Sequence, residues 1–270
     1  MKEFICQENG KLSVILQKQN LSYSAIQKLY RKKDIKINGI RISKEQQVKK
    51  GDKITLYLIE KTTNLDIVYQ DENLVVLNKP QGIESVDFFN LVKQVFPTAY
   101  FTHRLDRNTG GLIIFALKEE SYNSLVLALK NRTLNKYYIT EVYGKVKKQH
   151  DTLVAYCKKD SKNSFVKVYA DYLAGRQKMI TEYKVLSYKE NSTVLQVKLV
   201  TGRTHQIRCH LAFIGHFIIG DGKYGKEEIN KIFKAKKQRL FAYKIEFNFS
   251  NGDFLEYLNK KEITIKTELA

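Results

Sequence analysis

Short apolar runs, most of them alternating at period two, recur along nearly the whole sequence. Several of the steps between them are too short to hold a crossover helix. Ile35 and Ile37 lead through Asn38-Gly39 into Ile40 and Ile42, and residues 67–69 and 74–77 flank Asp71-Glu72-Asn73. Residues 137–143, 180–186, 193–200 and 240–249 read as further strands, and 112–116 is continuously apolar, like a strand covered on both faces. Residues 119–132 carry Tyr122, Leu125, Val126 and Leu129 at helical spacing, and 206–214 carry Ile207, Leu211 and Ile214. Antiparallel neighbours tolerate such steps, whereas parallel ones need a dozen residues or more. The chain is therefore expected to be α+β with a mixed or antiparallel sheet, not a doubly wound parallel one.

The charge divides this expectation in two. The chain carries +19 over 270 residues, which suggests a polyanionic partner such as nucleic acid. Residues 1–61 hold fourteen Lys+Arg and six Asp+Glu, while the remaining 209 residues hold thirty-three and twenty-two. The first segment is more than twice as densely charged, and the polar stretch Lys61-Thr62-Thr63-Asn64 reads as the break. The expected organisation is a basic module at 1–61, a linker at 62–66 and a larger domain at 67–270.

In the module, Ser22 or Ser24 caps a helix with Ile26, Leu29 and Tyr30 on one face. Arg31-Lys32-Lys33 closes it, where cations suit the helix dipole. Asn38-Gly39 is a strong hairpin signal. Gly51-Asp52 turns into Ile54, Leu56 and Leu58. This order resembles the RNA-binding domain named after ribosomal small-subunit protein four, the S-four domain, over about residues 12–58. Tyr23 departs from it, standing where that pattern usually has Arg. The resemblance implies that Lys28, Arg31, Lys32 and Lys33 contact RNA phosphates.

Other classes find little support. No apolar run approaches the roughly 18 residues of a membrane span, and the first residues lack the apolar core of a signal peptide. Cys6, Cys157 and Cys209 are odd in number and far apart, which fits a reducing cytoplasm better than a disulfide framework. The glycine spacing of Gly215 to Gly220 is followed by Asp221-Gly222 rather than the Lys-Ser or Lys-Thr of a phosphate loop. No G-x-G-x-x-G opens a helix, and no G-x-S-x-G elbow is present. His205 and His210 are five apart, with Cys209 between them but no second Cys, so no metal is expected.

Two segments remain. HRLDRNTGG at 103–111 places Asp106 where a strand meets a turn, a position from which a rigid core can present a reactive side chain. Asp106 could equally be a turn former. TGRTHQIRCH at 201–210 ends a strand and opens a helix, gathering Arg203, His205 and Arg208. An arginine beside the aspartate would fix the carboxylate. Alternatively, the arginines bind phosphate at a helix start.

These two segments, with VVLNKPQGI before them and the continuation LAFIGHFIIGDGKYG after, resemble the RluA family of pseudouridine synthases. The likeness covers about residues 67–247, and an S-four domain ahead of the catalytic domain is an arrangement that family has. The resemblance implies that Asp106 is the catalytic aspartate and that Arg104 takes the flipped nucleotide's place in the RNA. It implies that Tyr138 is the active-site tyrosine, within a K-x-Y-x-A-x-V-x-G strand starting at Lys136 in which Thr140 replaces the usual Ala. It assigns to Arg203 the pairing with the aspartate. Lys79, Arg107, His205 and Arg208 are expected as RNA contacts. Gly110 stands where the pattern has Ser, and Phe241 where a His is frequent.

The implied activity is isomerisation of chosen uridines to pseudouridine, without cofactor or metal, most readily in large-subunit rRNA and alternatively in tRNA. The protein is expected to act as a monomer. Cleaving the base from the ribose, turning it and rejoining it at carbon 5 needs no redox change. An aspartate can attack or stabilise the anomeric carbon, as glycosidase carboxylates do, or promote elimination. Tyr138 can stack on the base, and its hydroxyl is a candidate acceptor for the carbon-5 proton. The competing readings are a noncatalytic RNA-binding or ribosome-assembly factor on the same scaffold, and a metal-dependent nuclease using Asp106 and Asp221.

Overall fold

A computed structural model describes residues 2–19, 21–57, 64–160 and 165–269. The chain divides into two compact units, Met1–Asn64 and Leu65–Ala270. Leu58 and the first two residues of the expected linker, 62 and 63, fall outside the described residues.

In the first unit the strands are β1 (Lys2–Ile5), β2 (Gly10–Lys11), β3 (Ile35–Ile37), β4 (Ile40–Ile42), β5 (Gln47–Val48) and β6 (Lys53–Leu56). Two helices accompany them, α1 (Leu12–Lys18) and α2 (Tyr23–Lys32). The principal sheet runs β1-β6-β3-β4. Ser22 is the cap of α2: its Oγ accepts from the Ala25 N–H at 3.2 Å. Asn38 and Gly39 both take positive φ, 48° and 84°, as the tight β3–β4 turn requires. Leu12, Leu16, Ile26, Ile35, Ile54 and Leu56 are buried together. Lys28, Arg31, Lys32 and Lys33 lie exposed on the second half of α2 and at its end. Helix α1 had no sequence signal of its own, because it is two turns long and its N-cap, Lys11, makes no side-chain cap.

The second unit adds β7 (Ile67–Gln70), β8 (Leu74–Lys79), α3 (Ser85–Val95), β9 (Tyr100–Phe101), β10 (Gly110–Ala116) and α4 (Glu119–Asn131). Then follow β11 (Leu134–Tyr143), β12 (His150–Asp160), β13 (Phe165–Tyr169), β14 (Gln177–Tyr188) and β15 (Ser192–Leu199). The last elements are α5 (Gln206–Phe213), α6 (Glu227–Ile232), β16 (Leu240–Phe247) and β17 (Glu262–Thr264). One sheet runs β13-β12-β14-β15-β11-β16-β10-β8-β7, with β17 on β16 and β9 on β10. Among the described pairings only β10–β16 is parallel, so the expected mixed sheet is present. Helix α3 and strands β12 and β13 were not read from the sequence. Ser85-Val86-Asp87-Phe88-Phe89 mixes β-branched and aromatic residues at the helix start, and β12 shows no unbroken alternation of burial.

The sheet buries side chains on both faces. Phe88, Val92, Phe115, Tyr138, Val197, Ile207 and Leu211 belong to one cluster, and Ile114, Leu125, Phe247 and Leu258 to the other. The two alternate along β10, as period two demands. Close approach of β10 to β16 depends on Gly111: its φ is 109°, and a Cβ there would lie 2.2 Å from the Ala242 carbonyl oxygen.

Two histidines, His210 buried and His103 half-buried, are held neutral by this packing. Burial lowers His210 to about 4, and its Nδ1 is 2.9 Å from the Thr181 hydroxyl. Burial, then the charge of Lys136, lowers His103 to about 3. The folded His210 pKa lies below its unfolded value, so the unfolded chain binds more protons between pH 6.5 and about 4. Stability from this group is therefore complete above pH 6.5 and falls as pH drops through that window, by at most about 1.4 kcal/mol per pH unit. His210→Gln, compared with the unaltered chain by urea unfolding at pH 7 and 5, is expected to lose less stability on acidification.

Candidate active site

A cavity of about 260 Å³ opens at the edge of the second unit's core, with Asp106, Tyr138, Lys136, Arg203, His205 and Arg208 among its lining. Asp106 is carried by the loop between β9 and β10, and a network of buried polar contacts fixes that loop. Ser85 Oγ donates to the Leu105 carbonyl at 2.7 Å and accepts from the Leu105 N–H at 2.9 Å. Gln238 Nε2 donates to Thr109 Oγ1 at 2.7 Å. Lys79 is fully buried, and its Nζ donates to the carbonyls of Pro80, Ile83 and Arg107 at 3.1, 2.9 and 3.3 Å. Burial lowers it to about 8, against the pull of Glu84 and Asp106. Lys79 is therefore a fastener of the loop. The expectation that it contacts RNA is corrected: its ammonium is enclosed and engaged with main-chain oxygens.

The carboxylate meets its cation from α5. Arg208 Nη1 donates to Asp106 Oδ2 at 3.0 Å. The same guanidinium clamps Asp221 through Nε to Oδ2 at 2.7 Å and Nη2 to Oδ1 at 3.0 Å. Asp221 also accepts the N–H groups of Lys223 and Tyr224. Burial alone would raise Asp221, but the Arg208 hydrogen bonds and charge prevail and hold it below the ordinary carboxylate range. Burial opposes the Arg208 charge as well, and the two aspartates overcome it. Oδ1 of Asp106 receives no hydrogen bond among the described residues.

The expected pairing of Arg203 with the aspartate is corrected by this geometry. Arg203 lines the cavity but is exposed, and its Nε donates to the Lys178 carbonyl at 3.3 Å. The physical reason is helical direction. Arg203 precedes α5 in a turn pinned by Gln206, whereas Arg208 lies on the buried face of the helix. His205, the N-cap of α5 with φ of 53°, places Nδ1 2.9 Å from the Tyr224 hydroxyl and lines the same cavity. Arg104 is exposed on the cavity wall. Arg107 is exposed outside that lining, with Nε on the Gly82 carbonyl at 3.1 Å.

Tyr138 is buried, 5% exposed, on β11. Burial, reinforced by the Asp106 charge, raises its hydroxyl above the ordinary phenol range. It is a neutral phenol at physiological pH. The alternation of β11 brings Lys136 to the same face as Tyr138. Lys136 faces this cavity and an adjoining one of about 470 Å³. Burial lowers it to about 8, and its ammonium has no hydrogen-bond or ion-pair partner among the described residues. Sequence reasoning quoted Lys136 only as the start of a strand pattern. Its spacing of two from Tyr138 was the signal that could have found it.

Two of the departures from the family pattern, Gly110 and Phe241, touch each other. A Cβ on Gly110 would stand 3.1 Å from Phe241 Cδ1 and 3.1 Å from Gln81 Cγ. Gly110 and Phe241 are partners in the parallel β10–β16 register. The larger ring at 241 occupies the room that a serine side chain at 110 would use.

Residues 73–213 match the family described as RNA pseudouridylate synthase. The ribosomal large subunit pseudouridine synthase C of Vibrio parahaemolyticus is 29% identical over 271 residues, covering 89% of this chain and 85% of that protein. An uncharacterized RNA pseudouridine synthase of Mycoplasma genitalium is 30% identical, covering 79% of this chain and 76% of its own. Among solved structures, human RNA pseudouridylate synthase domain containing 1 shares the fold, with a TM-score of 0.61 at 22% identity over 76% of this chain and 91% of that one.

Removing Arg208 leaves Asp221 buried without its cation. Arg208→Met is expected to destabilise the fold by about 3–5 kcal/mol, and Arg203→Met, at an exposed position, by less than about 1 kcal/mol. Chemical denaturation of the two variants measures this difference, and equal losses would contradict the pairing described.

Proposed function

This chain belongs to the RNA pseudouridylate synthase family, and we propose that Asp106, Tyr138, Lys136 and Arg208 carry the isomerisation, with ribosomal large-subunit RNA as the substrate. The single observation that supports the site is Asp106 at the cavity wall, one carboxylate oxygen held by Arg208 and the other open. The names of relatives such as the Vibrio enzyme support the choice of RNA. The first unit, residues 1–61 by the charge break, serves in this reading as an S-four-like RNA-holding module through Lys28 and Arg31–Lys33. The three free, buried cysteines fit a cytoplasmic protein. Asp221 is engaged by Arg208 and two backbone N–H groups, which disfavours the nuclease reading that needs it as a ligand.

In this mechanism the target uridine leaves the RNA stack, at a cost of a few kcal/mol, and its ring lies against Tyr138. Arg104, on the exposed wall, fills the gap it leaves. The open oxygen of Asp106 faces the ribose, where it attacks the anomeric carbon or promotes elimination. Arg208 holds that carboxylate in direction and is a positioning residue. As the C1′–N1 bond breaks, its electron pair goes to the uracil, whose negative charge spreads to O2 and O4. Lys136, on the same strand face as Tyr138 and a donor without a partner among the described residues, stabilises that anion. After carbon 5 joins the ribose, a proton leaves carbon 5 and one is taken up at N1. The raised pKa of Tyr138 gives it no standing phenolate, so its oxygen accepts the carbon-5 proton only while passing its own to the Asp106 carboxylate.

Asp106→Asn keeps the size and hydrogen-bonding reach of the side chain and removes its charge. It is expected to bind RNA as the parent does and to release no tritium from RNA labelled at uridine carbon 5. Full turnover in that variant would overturn the assignment. Lys136→Met tests the anion-stabilising role: kcat should fall about 100- to 1,000-fold, with RNA affinity within about threefold. A loss of affinity as large as the loss of kcat would make Lys136 a phosphate anchor instead.

A further inference from the structure

A second concavity, of about 820 Å³, lies on the other side of the loop that carries Asp106. Thr109 lines the catalytic cavity, and the next residue, Gly110, lines this groove. Its cationic side chains are Lys189, Lys234, Lys236, Lys237, Arg239 and Lys266, besides the enclosed Lys79. The carboxylates among its lining residues are Glu141 and Glu268. Glu141 is buried and already engaged: it accepts from Ser192, from Arg239 at 2.6 Å and from Lys189 at 3.3 Å. Lys234, Lys236 and Lys237 are exposed and form no ion pair among the described residues.

The backbone that displays these lysines is fixed. The Arg239 N–H donates to the Ile219 carbonyl at 2.9 Å, and the Ala235 N–H to the Asn230 carbonyl at 2.9 Å. Gln81 Nε2 donates to the Gln238 carbonyl at 2.6 Å, and Gln238 in turn holds Thr109. Gly220 packs so closely that a Cβ there would lie 2.0 Å from the Lys237 carbonyl oxygen. The cations therefore stand on a pinned segment that is hydrogen-bonded to the catalytic loop itself.

We propose that this groove is a second RNA-binding site, which holds the phosphodiester backbone of a substrate segment flanking the target uridine. The inference rests on the RNA reading above and adds a place to it. Ammonium groups are donor-only point charges suited to phosphate oxygens. The groove's one aromatic side chain, Phe241, is packed over Gly110, so it offers charge rather than a stacking platform, and binding there is independent of sequence.

The test is the salt dependence of binding by the full chain to a fluorescein-labelled 40-nucleotide stem-loop RNA, read by anisotropy. Each lost lysine–phosphate contact lowers the slope of log K against log salt by roughly 0.7–0.9. Combined Lys234→Gln, Lys236→Gln and Lys237→Gln should lower the slope by about two to three. A control with the same charge change, Lys158→Gln, Lys159→Gln and Lys167→Gln on exposed positions of β12 and β13, should leave it unchanged. An unchanged slope in the groove variant, or an equal fall in both, overturns the proposal. If the groove variant instead loses affinity only for a polyglutamate probe, the groove serves an acidic protein segment and the RNA assignment is wrong. If the unaltered chain shows no salt-dependent RNA binding, the RNA reading itself fails, a result distinct from the others.

Discussion

The Arg208 guanidinium joins parts of the second unit that are far apart in sequence. It lies on α5, clamps Asp221 in the turn beyond β-sheet residue Val142's bridge partner Ile218, and reaches Asp106 on the β9–β10 loop. Each of the three groups would be costly to bury alone. Together they leave a single negative charge, delivered at the cavity wall. Buried ion pairs seldom add net stability over apolar packing of the same volume. This one is better understood as fixing an orientation, because the bidentate clamp on Asp221 leaves Nη1 only one direction in which to point.

That arrangement also explains what the sequence could and could not disclose. Many of the strands were legible from their short apolar runs, most of them alternating at period two, and Asp106 and Tyr138 from their motif, because a strand and a turn bind side-chain direction tightly to position. Arg203 and Arg208 straddle the point where an irregular turn becomes a helix. Which of them faces inward depends on the phase of α5, set by the Gln206 contacts to Thr201, Ile180 and the Arg203 N–H. Those are tertiary contacts, so no local pattern predicts them. Lys79 misled for a related reason. Lysine is ordinarily exposed, and only the convergence of three carbonyls from the Pro80–Ile83 turn and Arg107 makes a buried ammonium tolerable there.

The same logic covers the departures at Gly110 and Phe241 from the family pattern. Read separately, Gly110 for Ser and Phe241 for His look like independent drifts. In the fold they are register partners in the parallel β10–β16 pair, and the volume gained at 241 is volume lost at 110. Neither residue takes part in the Asp106–Arg208 contact, and the loop that carries Asp106 stays fastened by Ser85, Lys79 and Gln238.

The chain's large positive charge does several different kinds of work, and burial sorts them. Exposed cations on α2 and at residues 234–237 interact through solvent, where salt screens them within about 8–10 Å. Lys79 and Arg208 are enclosed, engaged with carbonyls or carboxylates, and are felt by an RNA only through the loop geometry they impose. Lys136 lies between these classes. It is desolvated enough for its charge to act strongly at short range, yet it faces a cavity rather than a partner. A desolvated cation with no partner among the described residues destabilises the folded chain. Its place beside Tyr138 is understandable if the missing anion is one that exists only while the glycosidic bond is broken.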